Sequence, residues 1–198
     1  MLITTTETEY RAKIKLITKK ANVCGLGSIG TIPVEVRMII IIADEAKRTL
    51  SPKEIEKICT ICESSKKAIT ELIEKTPAMI AKASASLLRK QPELIAPGGD
   101  LFPESRAAAC WRDCNEFMRV ITYGVACNCA EITDKAGMGA LLELYALLGV
   151  PVKALLYVLT ELRILSVNEL RRSGFVRESN CTDGAFKDLI CALMPTSK

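Results

Sequence analysis

Residues 106–117 hold four side chains whose types could act together. Arg106, Cys110, Asp113 and Phe117 stand at i, i+4, i+7 and i+11. On an α-helix that spacing puts a cation, a thiol, a carboxylate and an aromatic ring on one stripe about three turns long. An amphipathic surface helix, with its charges in water and Cys110 in the core, has the same spacing, and spacing alone leaves both readings open. The chain contains no histidine. That absence removes Ser-His and Cys-His nucleophile pairs, His-based zinc sites and haem held by a proximal His.

Two other patterns could carry chemistry. Gly25-Leu-Gly-Ser-Ile-Gly30 has the G-x-G-x-x-G form. A dinucleotide site needs a helix opening at that loop and a βαβ pattern around it. Thr31-Ile-Pro-Val opens no helix and no βαβ alternation exists, so a glycine-rich loop in a flexible arm is the better account. Cys59-x-x-Cys62 and Cys127-x-Cys129 could be halves of a four-thiolate metal centre. Cys59 and Cys62, however, fall mid-helix on an apolar face, and core thiols are favoured.

The elements that must position the stripe are helical. Residues 1–35 read as an arm, with Lys13–Ile17 and Ile32–Val36 mildly strand-like. From Val36 the pattern turns to helix. Ser51 is an N-cap, with Pro52 at the first helical position and Glu54 completing a capping box. Ile55, Ile58, Cys59, Cys62, Ile69, Leu72 and Ile73 then mark one apolar face. A second stretch runs from Pro77 to Lys90, and 96–100 is a turn cluster. A long helix covers 104–127, another covers 131–148, and Gly149 and Pro151 punctuate the start of a third, which ends near Leu170. Residues 171–182 read as a polar loop and 183–194 as a final helix. The fold class is all-α, five to eight helices around one core.

Composition bounds the function. The 198 residues are 49% hydrophobic, enough for a sizeable core, and a net charge of +4 is below that of a dedicated nucleic-acid binder, so no nucleic acid is expected as a partner. The N-terminus lacks the pattern of a signal peptide, and Val36–Ala43 is too short to span a bilayer. A soluble intracellular or peripheral protein is expected, its nine cysteines mostly buried thiols.

Cys110-Trp-Arg112-Asp113, ten residues after Pro97-Gly-Gly-Asp100, resembles the chromophore-attachment segment of the phycobiliproteins. Further runs follow in order. Arg119-Val-Ile-Thr-Tyr123-Gly124 is similar to the family's Arg-Leu-Val-Thr-Tyr-Gly, and Glu143-Leu-Tyr145-Ala-Leu-Leu-Gly149-Val-Pro151 to its Glu-Met-Tyr-x-x-Leu-Gly-x-Pro. Ala43–Pro52 resembles the link from the N-terminal helices into the core, and Ala185–Ile190 the closing helix. With no insertion before the last helix, the resemblance favours the allophycocyanin-like α type.

This resemblance implies a globin-like phycobiliprotein fold over 36–198, with an N-terminal helical pair and a 1–35 extension. It implies an open-chain tetrapyrrole (phycocyanobilin-type) joined by a thioether to Cys110. Asp113 would accept hydrogen bonds from the pyrrole N–H groups and favour the protonated ring system. Arg106 and Arg112 would hold the propionates, although Arg112 lies off the stripe and must reach round. Tyr145 would cap the pocket, with Phe117 and Asp100 beside it. The helical pair, placed at about 36–49 and including the apolar run Ile39–Ile42, would dock on a phycobiliprotein partner subunit. Such αβ pairs form trimeric rings bound by phycobilisome linker proteins, peripheral to the thylakoid membrane on its stromal or cytoplasmic face. The implied role is light harvesting and energy transfer, not catalysis. A colourless or bilin-handling relative, with an assembly or linker role, is the alternative; a thiol redox or zinc protein is a third. Some positions depart from the family pattern: Trp111 replaces a Leu, Glu116 stands where a ring is usual, and Asp100 replaces an Asn that β-type subunits methylate.

Overall fold

The computed structural model describes residues 5–194; the first four residues of the 1–35 extension lie outside that range. Among the described residues the chain forms eight α-helices: α1 (Thr5–Lys20), α2 (Val34–Glu45), α3 (Pro52–Cys62), α4 (Lys66–Lys90), α5 (Glu104–Ala126), α6 (Lys135–Leu148), α7 (Val152–Arg172) and α8 (Val176–Leu193). The all-α expectation holds.

The core is the meeting of α4, α5, α7 and α8. Every residue of α5 from Phe117 to Ala126 is buried. A helix enclosed on all sides needs apolar residues all round, and Val120, Ile121, Val125 and Ala126 supply them. The more polar first half of α5, which carries the stripe, therefore emerges from this anchored second half at a fixed angle to its neighbours.

Several boundaries move. One apolar face across 55–73 is divided between two helices, because Glu63 turns left-handed (φ 55) and Ser65 caps α4 by accepting from the Ala68 N–H. Helix α4 then continues through Pro77. Proline removes one hydrogen bond and costs about 3 kcal/mol mid-helix. Burial of Ile69 and Leu72 before it, and of Met79, Ile80, Ala83 and Leu87 after it, offsets that loss. Helix α6 starts at Lys135 and not near 131, with Asp134 as its N-cap. The 171–182 segment, expected as a loop, is mostly the first turns of α8. Its polar residues are satisfied internally: Ser179 donates to the Val176 carbonyl, Thr182 to the Glu178 carbonyl, and Glu178 accepts from the Ser65 N–H at 2.7 Å.

The N-terminal segment differs most from its strand-like, flexible reading. Lys13–Ile17 lies inside α1, which packs against α6. Tyr10 donates to the Leu147 carbonyl at 2.8 Å, and Ile17 is buried. The following chain is laced to the loop before α6 and to the first turn of α6: the Gly25 N–H donates to Ile132, the Asp134 N–H to Val23 and the Asn22 N–H to Gly137. Two glycines permit this approach. A Cβ on Gly25 would meet the Thr133 carbonyl oxygen at 2.5 Å, and one on Gly137 would meet the Asn22 oxygen at 2.3 Å. Glycine-rich composition here serves close backbone contact, not flexibility. Segment 36–49, expected to hold a helical pair, holds one helix, most of α2.

The capping box at α3 forms as read, with Ser51 and Glu54 bonded reciprocally. Arg48 adds two hydrogen bonds to Glu54, at 2.7 and 2.8 Å. The Arg48 fork, ahead of the Ser51 bonds, draws the Glu54 carboxyl down to about 2. A depressed carboxyl contributes stability above its unfolded pKa and loses it as pH falls through the folded value. The parent should therefore be more stable than Glu54→Gln at pH 6, and the gap in thermal midpoint should close between about pH 4.5 and pH 2.

Candidate functional site

The first half of α5 brings the stripe to one side of the molecule. Cys110 is only 5% exposed, yet it opens onto a cavity of about 210 Å³ together with Asp113, Arg106, Asp100, Val150 and Pro151. The wall opposite α5 is the Leu148–Pro151 corner, where α6 ends at Gly149 and α7 begins. Phe117 is buried further along the stripe and lines a second cavity of about 170 Å³. Asp113 borders both cavities.

Tyr145 reaches across from α6, and its hydroxyl donates to Asp113 Oδ2 at 2.7 Å. Burial raises the Asp113 pKa, while the Tyr145 bond and the nearby Arg112 charge oppose that rise. Burial and the Asp113 charge push the Tyr145 phenol far above its ordinary value, so it remains a donor. A raised carboxyl makes the ionised form a burden on the fold, relieved as pH falls and full above the folded pKa. A ligand offering cationic N–H donors would relieve it too. Asp113→Asn keeps the Tyr145 hydrogen bond and removes the charge. Its thermal midpoint at pH 7, without ligand, should match or exceed the parent's.

The remaining sequence-derived residues are placed differently. Arg106 lines the cavity, but its guanidinium donates to the carbonyls of Asp100 (2.9 Å), Leu148 (3.3 Å) and Gly149 (2.6 Å). It thus closes the C-terminal end of α6, whose last carbonyls lack helical partners. Arg112 is exposed and lies outside the lining of both cavities. Asp100 contributes its backbone oxygen to Arg106 and has an exposed side chain.

Several neighbours were not singled out from sequence. Cys114, one turn below Cys110, is fully buried, and its thiol is pushed far up by its hydrogen bond with Cys110 and by burial. Its i+4 spacing was visible, yet only the structure separates the sulfur on the cavity from the one behind it. Ala21, Asn22 and Val23 from the N-terminal segment, with Asp44 in the last turn of α2 and Lys47 after it, line the second cavity. No local motif connects positions so distant in the chain.

Apart from the exposed Cys191, the other thiols are buried or half-buried among apolar neighbours. Burial raises Cys24 to about 11 and Cys181 to about 12, and it raises Cys59, Cys62, Cys127 and Cys129 as well. Among the described residues no three Cys, Asp or Glu side chains are grouped so as to hold a metal ion. No helix among them is long and apolar enough to cross a membrane.

Residues 38–193 match the family model "Phycobilisome protein". An allophycocyanin alpha subunit of Picosynechococcus sp. is 30% identical over 158 residues, which cover 78% of this chain and 95% of the relative. The allophycocyanin subunit alpha-B of Nostoc sp. is 30% identical over 138 residues, covering 68% and 86%. A C-phycocyanin beta subunit of Mastigocladus laminosus is 25% identical over 143 residues, covering 71% and 83%. The matched span runs from within α2 to the end of α8 and includes every residue of the stripe. The chain therefore belongs to the phycobilisome protein family and is similar to its allophycocyanin α members.

Proposed function

We propose that this chain is a light-harvesting, bilin-carrying subunit of the phycobilisome, of the allophycocyanin-like core type. The observation that carries the reading is the shared cavity of Cys110 and Asp113, with Cys114 closed off behind. The residues fit a linear tetrapyrrole in kind: one sulfur on the cavity wall for a thioether, one half-buried carboxylate for N–H donors, and apolar walls. The two cavities that meet at Asp113 reach together the low end of the range of about 300–1,000 Å³ usual for ligand sites. A bilin bound there supplies the absorption of visible light. The chain's own part is to hold: Cys110 anchors, Asp113 fixes charge, Tyr145 orients Asp113, and Phe117 supports the groove floor.

Partner docking is read from α2. Val34, Met38 and Ile42 are 64%, 51% and 54% exposed and stand at i, i+4 and i+8, an apolar stripe on the outer face. Ile40, in the middle of the apolar run, is instead buried in the chain's own core. The stripe suits a phycobiliprotein partner subunit in an αβ pair, assembled into trimeric rings with linker proteins at the thylakoid surface.

The engagement of Arg106 on three carbonyls supports a second reading, a colourless or bilin-handling relative with an assembly role. Acid denaturation of protein from its native source separates the two. The first reading expects visible absorption and zinc-enhanced fluorescence that migrate with the polypeptide. Colourless native protein contradicts it and supports the second.

A further inference from the structure

The second cavity has walls from two sources. One is α5 and α6, through Asp113, Phe117 and Tyr145; the other is the N-terminal segment Ala21–Val23 with Lys47 beyond α2. The seat of that segment is built into the sequence, since Gly25 and Gly137 allow backbone approaches that any Cβ would block. Charges in this cavity are mostly committed. Arg119 holds Asp44 at 2.8 Å and Glu116 at 2.9 Å, and Tyr145 holds Asp113 at 2.7 Å. Lys47 is the loosely held cation. Its Nζ is 3.5 Å from an Asp44 oxygen already taken by Arg119, and its side chain is 56% exposed. In the first cavity the corresponding cation, Arg106, is spent on carbonyls.

Lys47 also stands in a left-handed conformation, φ 48, just past the end of α2. That position favours glycine or asparagine, and a lysine there is a local strain.

We infer that the N-terminal segment and Lys47 form the far wall of a single ligand groove, in which Lys47 receives a carboxylate of a linear tetrapyrrole. The inference rests on the bilin-carrying reading above and adds to it a carboxylate partner and a role for the extension. The segment acts as a fixed side wall: it narrows the groove opposite Asp113 and keeps a flexible ligand extended.

The test uses the full-length chain without ligand, titrated with biliverdin and with its dimethyl ester and followed by visible absorption. The parent should bind the acid about tenfold more tightly than the ester, the size of one partly exposed charge-assisted hydrogen bond. Lys47→Gly should remove that preference while leaving the thermal midpoint equal or higher, since glycine relieves the strain. A merely structural lysine predicts the reverse pair. Gly137→Ala puts a better helix former into α6 but displaces Asn22. It should weaken both ligands at least threefold and quicken tryptic cleavage at Lys19–Lys20. An acid-over-ester preference that survives Lys47→Gly overturns the carboxylate assignment. Unchanged affinity in Gly137→Ala, with cleavage quickened, overturns the wall. Covalent pigment on Cys110 is scored separately. Its absence beside a Lys47-dependent preference upholds this inference and defeats the light-harvesting reading; its presence without that preference does the opposite.

Discussion

Replacing Cys110 with alanine should remove covalently held pigment. The chain carries nine cysteines, and the structure ranks them sharply. Cys110 alone lines the cavity that Asp113 borders. Cys114, its nearest neighbour on α5, is fully enclosed, and its thiol is held protonated by the contact with Cys110 and by burial. The remaining thiols lie away from the stripe. With bilin supplied, pigment that stays with the denatured polypeptide should fall at least twentyfold in Cys110→Ala and remain near the parent level in Cys114→Ala. The Cys110 change removes one sulfur from a site already open to a cavity, so loss of fold stability should stay near or below about 1 kcal/mol. Retained covalent pigment in Cys110→Ala would place the attachment elsewhere.

The second large effect falls on stability. Arg119 is a buried cation on α5, with a side chain 6% exposed. Its guanidinium donates to Asp44 beyond α2's middle turns (2.8 Å), to Glu116 (3.1 Å) and to the Tyr123 hydroxyl (2.9 Å). Tyr123 in turn donates to the Arg48 carbonyl. Burial works against the Arg119 charge, but Tyr123 and Asp44 hold it well above its ordinary pKa. One side chain thus fastens the α2–α3 link to the core helix. Arg119→Ala leaves Asp44, whose side chain is 14% exposed, with only the 3.5 Å contact to Lys47, and leaves the Tyr123 oxygen short of a donor. Removing one partner of a buried pair costs about 3–5 kcal/mol. Chemical denaturation should show that loss, and Arg119→Ala with Asp44→Ala should cost at least about 1 kcal/mol less than the sum of the single changes. A loss below about 1 kcal/mol would mean that the α2–α3 link is held by its apolar contacts alone.

The stripe was legible because it is local. Cys110, Asp113 and Phe117 share one helix, and their spacing fixes their common side whatever surrounds them. The capping box at Ser51 and the Gly149–Pro151 punctuation were legible for the same reason. Pro77 misled because local backbone preference is overridden by burial on both sides of α4. Polar Ser179 and Thr182 misled because their hydroxyls bond to their own helix and vanish into the core. The N-terminal segment misled most. Its threonines favour strand, its lysines helix and its glycines neither, and its structure comes from a surface on α6 more than a hundred residues away. Lys47 and Asn22 were illegible on the same ground, and so was the engagement of Arg106, since nothing near it in sequence announces the carbonyls of α6.

The central claim is that this chain holds a linear pigment by the sulfur of Cys110. The most direct measurement is mass spectrometry of the tryptic peptide spanning Cys110, isolated from native-source protein and read together with its absorption spectrum. The expected result is a peptide heavier by one intact bilin and coloured in acid. A colourless Cys110 peptide at its unmodified mass would contradict it.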